Sequence, residues 1–418
     1  MDLAAQKTRA AALVDARGDE LDRLSLAIHA RPELAFEERF ASASLADYVE
    51  REGTRVTRGV GGLETAFIAE AGSGGPVVAF CAEYDALPGV GHACGHNVMG
   101  TAAVGAFLAV RDVLQGGGGA AHGGSGTVRL IGCPAEERGN GKVALIRAGL
   151  FADVDAALMY HAGDHDELDP LMLALVNLEI EMLGKAAHAA AEPYGGVNAL
   201  DGLLLGWSSL SALRLVIRSD SRVHGIITDG GQAPNIIPER AAARLMVRSP
   251  DNTYLEELRR RVLACFEGAA TATGCELRHS WSEITEGVNT NAPLAEAFAA
   301  NAAALGRTMP KRPPGDTHGS TDMGNVSTVV PSLHPILSIT SEPAPGHSHA
   351  FAAAAARPEA LETMRLGAKA LAHTALDILA DPALVKRAWE RHKISRTASE
   401  HGPAAAPPAD AAGERRRG

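Results

Sequence analysis

Positive charge is the first thing in short supply. Lysine and arginine number 39 against 50 aspartates and glutamates, a formal net charge of −11, no compact basic stripe stands out, and the run Arg415–Arg417 lies in the terminal tail. Phosphate binding needs a concentrated cationic face, so nucleic acid is not an expected partner. Long apolar runs are missing too: none reaches the roughly 18 residues that a membrane span requires. Residues 1–20 mix Asp, Lys, Arg and Glu among their alanines and lack the apolar core of a signal peptide. The expected location is the cytoplasm, with no membrane association. Cysteine is sparse, with Cys81, Cys94, Cys133, Cys265 and Cys275 widely spaced and odd in number, a poor basis for a disulfide framework and a better one for buried thiols. No Gly-x-Ser-x-Gly elbow marks a serine hydrolase, and no internal repeat is found. Gly89–Cys94 nearly spells the dinucleotide fingerprint, but Cys94 stands at its final glycine position.

What is present describes a globular protein: 418 residues, 46% hydrophobic and 21% charged, enough chain for two domains. Apolar positions over Leu21–Glu50 recur at helical spacing around an interruption at Pro32, which predicts two helices. Short β-rich runs at Thr65–Ile68, Val77–Cys81, Val128–Cys133 and Ala156–Tyr160 alternate with helical stretches at Ala93–Leu114 and Gly141–Ala148. Such alternation predicts an α/β sheet covered on both faces. The pattern changes near Leu171. Leu173–Leu183, Gly225–Thr228, Ala241–Val247 and Glu276–Trp281 read as strands, and Asn198–Ile217 and Asp251–Thr273 as helices, together a β-α-β-β-α-β unit. Helix–strand alternation then resumes. The expected organisation is a catalytic domain in two parts, 1–171 and 291–395, split by an inserted α+β unit, 172–290, with an Ala-, Pro- and Arg-rich tail, 396–418, expected to be disordered.

The densest chemistry lies in Glu83–Asn97, where a strand gives way to a long helix, the end of an open α/β sheet at which ligands collect. Cys94 and His96, with Gly95 free to turn between them, can both reach one metal cluster. Cys133-Pro134-Ala135-Glu136-Glu137 sits at another strand end. An arbitrary Glu-Glu pair is usually a solvated face, but after an apolar strand one carboxylate can bind metal while its neighbour serves as general base. His161 ends a third apolar run, where an isolated histidine is more often structural, and Gly346–Phe351 carries His347 and His349.

Tyr84–Pro88, Gly91–Asn97, Pro134–Glu137, Gly319–Asp322 and Gly324–Ser327 together resemble the motifs of the M20 metallopeptidase and amidohydrolase family. The resemblance runs from about Leu24 to Ala370 and is strongest to the branch that includes aminobenzoyl-glutamate hydrolase-like and M20-domain dipeptidase-like members. It implies a zinc-exopeptidase-like catalytic domain with an inserted ferredoxin-like lid and dimerisation domain. It also implies two divalent ions, Zn²⁺ or Mn²⁺, with Cys94, His96, Glu137, His161 and His347 as ligands and Glu136 as general base. The family pattern His-Ser/Thr-x-x-Phe selects His347 over His349. A thiolate has several lone pairs where an imidazole nitrogen has one, so a ligand shared from the Cys94/His96 pair should be Cys94. Glu83-x-Asp85 departs from the peptidase branch, whose His-x-Asp supplies a ligand. Asp85 is then either a support for a ligand or the base, or a helix-capping carboxylate.

In the inserted unit the resemblance implies that Asn235 and Arg248 contact a substrate carboxylate and that His224 reaches across a homodimer to polarise the scissile carbonyl. The expected activity is metal-dependent hydrolysis of an amide bond in an N-acyl amino acid, an aminobenzoyl-glutamate-like conjugate or a dipeptide. A non-catalytic metal-binding or assembly protein of the same fold is the alternative. It would be expected to have lost Glu136 or a ligand, and none is lost here.

Overall fold

A computed structural model of the chain describes residues 2–116, 126–313 and 319–401. The first half opens with α1 (Leu3–Ala16), α2 (Gly18–His29) and α3 (Arg39–Arg51), then β1 (Val56–Arg58), β2 (Phe67–Ser73) and β3 (Val77–Glu83). It continues through α4 (His96–Gln115), β4 (Gly126–Cys133), the single turn α5 (Glu136–Gly139), α6 (Gly141–Arg147), β5 (Ala156–Leu158) and β6 (His161–Gly163). A second unit follows: β7 (Ala174–Leu183), α7 (Ala199–Arg214), β8 (Arg222–Asp229), β9 (Arg240–Ser249), α8 (Asn252–Thr273) and β10 (Glu276–Trp281). The chain then returns to the first body with α9 (Ala292–Ala304), α10 (Met323–Val329), β11 (Ser332–Leu333), β12 (Ile336–Ser338), α11 (His349–Ala354), α12 (Pro358–Ala380) and α13 (Pro382–His401).

The main sheet has the order β1-β2-β4-β3-β5-β11, antiparallel at β1 and β2 and parallel from β4 to β11. Helices cover both faces, so β3 reads Val-Val-Ala-Phe-Cys-Ala-Glu with every position after the first buried, the near-continuous apolar run of a parallel strand. Helix α4 is the centre of this core. By length and composition it could cross a membrane, although the sequence holds no uninterrupted apolar run of that length. Because 89% of its most apolar window is buried inside the protein, its hydrophobicity belongs to core packing. Gly100 brings it down onto the end of β3, since a Cβ there would lie 2.4 Å from the carbonyl oxygen of Glu83.

The second unit is an antiparallel sheet in the order β10-β7-β9-β8 with α7 and α8 on one face, the ferredoxin-like arrangement, and it has its own core. β7 alternates buried and more accessible residues, packing one face on the helices and leaving the other open. Asn198 and Asp251 cap α7 and α8 with side-chain acceptors at their first turns.

Two sequence expectations need correction, and one helix falls outside them. Leu3–Ala16 is a helix ahead of the Leu21–Glu50 pair; its apolar stripe is thin, and it packs on α12 and α4. The run Ala156–Tyr160 ends as a strand at Leu158, and His161 opens β6, which pairs with β12 in a separate two-stranded ribbon. The expected tail begins as helix, because α13 continues to His401; the remainder, 402–418, lies outside the described residues.

Candidate metal centre

Three strand ends and one loop deliver the candidate donors. Beyond β3 the chain runs to Gly95, whose φ of 77° turns Cys94 one way and starts α4 at His96. Beyond β4, Ala135 takes the left-handed φ of 60°, unusual for a residue with a Cβ, and places Glu136 and Glu137 on the single turn of α5. His161 begins β6. His347, also left-handed at φ 62°, is tied by its N–H to the Ala93 carbonyl at 2.8 Å. Non-glycine residues in this conformation cluster at functional sites.

The donor atoms fall into two sets that share Cys94. Cys94, His96 and His161 offer ligand atoms within 4.8 Å of one another, as do Cys94, Glu137 and His347. The Cys94 Sγ is 3.4 Å from His161 Nε2 and 3.8 Å from His347 Nε2, and His347 Nε2 is 3.6 Å from a Glu137 oxygen. His349 instead starts α11, outside both sets. Asp85 organises two members at once: one carboxylate oxygen is 3.1 Å from His96 Nδ1, and the other accepts the Glu137 N–H at 2.9 Å. It caps no helix.

A pair of divalent cations fits these residues. The His96 Nε2 and Glu137 Oε1 atoms are buried with no hydrogen-bond partner, a cost that ligation would remove. Thiolate, imidazole and carboxylate together suit a borderline transition metal. Electrostatics point the same way. Burial, then the neighbouring carboxylates of Glu83 and Glu137, push Glu136 well above the usual carboxylate range, and burial raises the Cys94 thiol. Burial, then His96, hold His161 at about 4, so its ring is neutral at pH 7 and free to bind metal. For His96 burial acts downward, but its bonds to Asp85 and Cys94 prevail and raise it. An uncompensated concentration of acidic groups in a dry site is what cations offset.

A cavity of about 900 Å³ opens from this cluster toward the free face of the second sheet, a size suited to a small ligand. Arg248 and Met246 of β9 and Asn177 of β7 line its far wall. The Arg248 guanidinium is 3.4 Å from Ser320 Oγ and has no carboxylate partner among the described residues; burial alone lowers its pKa. His224 and Asn235 are not brought to this cavity. His224 is exposed on the edge strand β8, opposite Met246, and Asn235 is exposed in the turn beyond it.

Several residues of the site carried no role in the sequence reading. Lys142 is fully buried and paired with both Glu83 and Asp322, also fully buried. The other Glu83 oxygen is 3.4 Å from His96 Nε2. His334 lies with its ring 5.5 Å from that of His161, and neither ring nitrogen has a partner. Glu38 reaches Ala135 from the N-terminal helices. The motif Gly319–Asp322 was a signal for Asp322; Lys142 sits in an apolar helix and Glu38 in a charged run, and neither context stands out.

The family model described as Peptidase family M20/M25/M40 matches residues 79–377. The chain is 40% identical over 394 residues to a mouse protein named Xaa-Arg dipeptidase, covering 91% of this chain and 90% of the relative. It is 37% identical over 412 residues to the human protein of that name, covering 93% and 92%. One of the two subunits of the p-aminobenzoyl-glutamate hydrolase of Escherichia coli K12 is 39% identical over 261 residues, 58% of this chain and 53% of that one. Among solved structures, the Bacillus subtilis protein YXEP, described as a dinuclear metal-binding peptidase of the M20 family, aligns with a TM-score of 0.67 at 22% identity over 87% of this chain and 99% of its own. An aminobenzoyl-glutamate utilization protein from Klebsiella pneumoniae aligns at 0.67 and 19%, over 87% and 97%. At these identities the structures speak for the fold.

Proposed function

The chain belongs to peptidase family M20/M25/M40, and on that premise we propose that this metal-dependent hydrolase is a dinuclear dipeptidase acting on dipeptides with a C-terminal basic residue. The observation that carries the reading is the pair of donor sets sharing Cys94, set beside Glu136 beneath a cavity whose far wall holds an arginine with no carboxylate partner among the described residues. The likeness to the Xaa-Arg dipeptidases extends over 91% of the chain, that to the aminobenzoyl-glutamate hydrolase over 58%, which favours the dipeptide. Retention of all five donors and of Glu136 speaks against a non-catalytic or storage role.

Zn²⁺ or Mn²⁺ held by Cys94, His96, Glu137, His161 and His347 would acidify a water and polarise the scissile carbonyl. Glu136 takes that water's proton and returns it to the leaving amine. Arg248 binds the substrate carboxylate as a fork of parallel donors. The sheet that carries Arg248 works as a lid whose closure excludes water. Chelated protein should therefore be inactive and melt several degrees lower, because a cation bound only by the folded state stabilises it by mass action. Reloaded with Mn²⁺ or Zn²⁺, it should cleave a dipeptide ending in arginine faster than p-aminobenzoyl-glutamate or an N-acetyl amino acid. The reverse preference would overturn the substrate assignment.

The lid is also proposed to form a homodimer. β8 is an edge strand with unpaired backbone groups, Ile226 and Ile227 are exposed along it, and Leu204 and Leu205 are exposed on the adjoining helix α7. A two-fold pairing would satisfy both edges at once. His224 of one protomer would then donate to the carbonyl oxygen in its partner's site, which explains its position outside the cavity of its own chain. Mixing inactive Glu136→Gln with inactive His224→Ala should restore part of the activity, because one heterodimer site is intact. Freely exchanging chains that stay dead, or a monomer by light scattering, would remove the trans histidine.

A further inference from the structure

We infer that Glu38 is a positioning residue for Glu136 and for the cavity wall at Phe36; the inference rests on the reading of Glu136 as base. Glu38 is fully buried at the N-cap position of α3, yet its side chain does not cap that helix. The capping is done by Glu33, whose two carboxylate oxygens accept the N–H groups of Phe40 and Ala41 at 3.1 and 3.0 Å. Glu38 is turned inward instead. Its Oε1 accepts two backbone N–H groups, from Phe36 and from Ala135, each at 2.9 Å, and its Oε2 accepts the Thr65 hydroxyl at 3.0 Å.

Both N–H donors belong to non-glycine residues in the left-handed region, Phe36 at φ 64° and Ala135 at φ 60°. Such conformations persist only where surrounding structure holds them, and here one carboxylate oxygen holds both. Ala135 immediately precedes Glu136, so its conformation sets the direction in which the base leaves β4. Phe36 lines the cavity, and its ring lies against Gly139 at the other end of the same turn, where a Cβ would come within 2.3 Å of the ring. The turn that carries Glu136 and Glu137 is thus gripped twice: by Glu38 at the Ala135 N–H and by Asp85 at the Glu137 N–H. The same N-terminal segment braces Asp85 as well, since the Glu33 carbonyl accepts the Ala86 N–H at 2.8 Å.

Reach and charge can be separated by substitution. Glu38→Gln keeps an oxygen at the Oε1 position and turns its amide N–H₂ to the Thr65 hydroxyl, so it should retain at least about a third of kcat. Glu38→Asp keeps a buried charge but withdraws the carboxylate by about 1.5 Å. It should lose about 10- to 100-fold in kcat with KM changed by less than about twofold. Metal content, by elemental analysis, should stay that of the parent in both. Adding Ala135→Gly to Glu38→Asp should recover part of the loss, because glycine adopts the left-handed turn without the anchor. A kcat for Glu38→Asp within about twofold of the parent, or an equal loss in Glu38→Gln, would overturn the inference. So would a loss that follows metal content, or one that Ala135→Gly leaves unchanged. Glu136→Gln measured alongside separates two failures. If it is active, the base assignment falls and this inference with it; if it is dead beside an undiminished Glu38→Asp, only the role of Glu38 falls.

Discussion

Glu136→Gln is expected to yield a folded protein with its full complement of metal and a turnover lower by about 10²- to 10⁴-fold, the usual worth of a general acid–base group. The neighbouring exchange, Glu137→Gln, is expected to lose metal first and activity as a consequence. The two carboxylates are adjacent in sequence but differ in surroundings. Glu137 joins Cys94 and His347 in one donor set, with its N–H held by Asp85 and one oxygen buried without a partner. Glu136 joins neither set that contains Cys94; its carboxylate is 4.0 Å from His96 Nε2 and groups with His96 and Glu137 on one side and with Glu83 and Asp322 on the other. Glutamine keeps the shape of either side chain but cannot carry a proton between water and amine, nor match a carboxylate as a ligand. Paired measurements of kcat/KM and metal stoichiometry on both variants check the division. Full turnover in Glu136→Gln would end its assignment as base, and normal metal content with normal turnover in Glu137→Gln would end that of its neighbour.

Much of this architecture is legible in the sequence because it is written in local patterns. The strand Glu276–Trp281 and the helix ending at Thr273 stand out because a period of two or 3.6 is visible within a few residues, with Asp251 and Gly274 marking the ends of α8. Cys94, His96, Glu136, Glu137, His161 and His347 are legible as candidates because short motifs at strand ends carry them. The supports of the site are not local. Glu38 meets Ala135 across 97 residues, and Lys142 meets Glu83 across 59 and Asp322 across 180. No spacing rule links a glutamate in a charged run to a turn beyond a distant strand. Lys142 is harder still: in Gly-Lys-Val-Ala-Leu-Ile it reads as the polar residue of a short amphipathic helix, and only the assembled fold reveals that its ammonium points inward. His161 shows the reverse limit, since a run of apolar residues predicts strand but not that the chain leaves one sheet at Leu158 and joins another ribbon at His161.

Lys142→Met should destabilise the protein by about 3–5 kcal/mol, the cost of leaving buried charges without their partner. Lys142, Glu83 and Asp322 are all fully buried, and the ammonium is the only cation that pairs with either carboxylate among the described residues, His96 beside Glu83 aside. The lysine's own N–H also binds an Asp322 oxygen at 2.9 Å, so one residue fastens the end of β3 and the start of α10 to α6. Burial lowers the Lys142 pKa, but Asp322 and Glu83 outweigh it and raise the group well above its ordinary value. Burial likewise works upward on Glu83, and the ammonium with His96 brings it down to about 2. The pH dependence follows from these directions. The lysine's contribution is complete below its unfolded pKa of about 10.4 and fades as pH rises beyond it. The Glu83 contribution is complete above its ordinary value of 4.5 and is lost as pH falls toward 2. Asp322, raised by burial and by Glu83 despite the ammonium, offsets part of this gain. The stability difference between parent and Lys142→Met in denaturant should therefore shrink above about pH 10, as the lysine's contribution fades, and should also shrink as pH falls, because burial without the ammonium lets both carboxylates of the variant take up protons. Removing all three charges, as Lys142→Met with Glu83→Gln and Asp322→Asn, should recover most of the loss, because a neutral buried cluster carries no unpaired ion. A single variant as stable as the parent would show that the carboxylates find another partner. A triple variant as unstable as the single would show that the lysine's backbone and side-chain packing, rather than its charge, hold these three segments together.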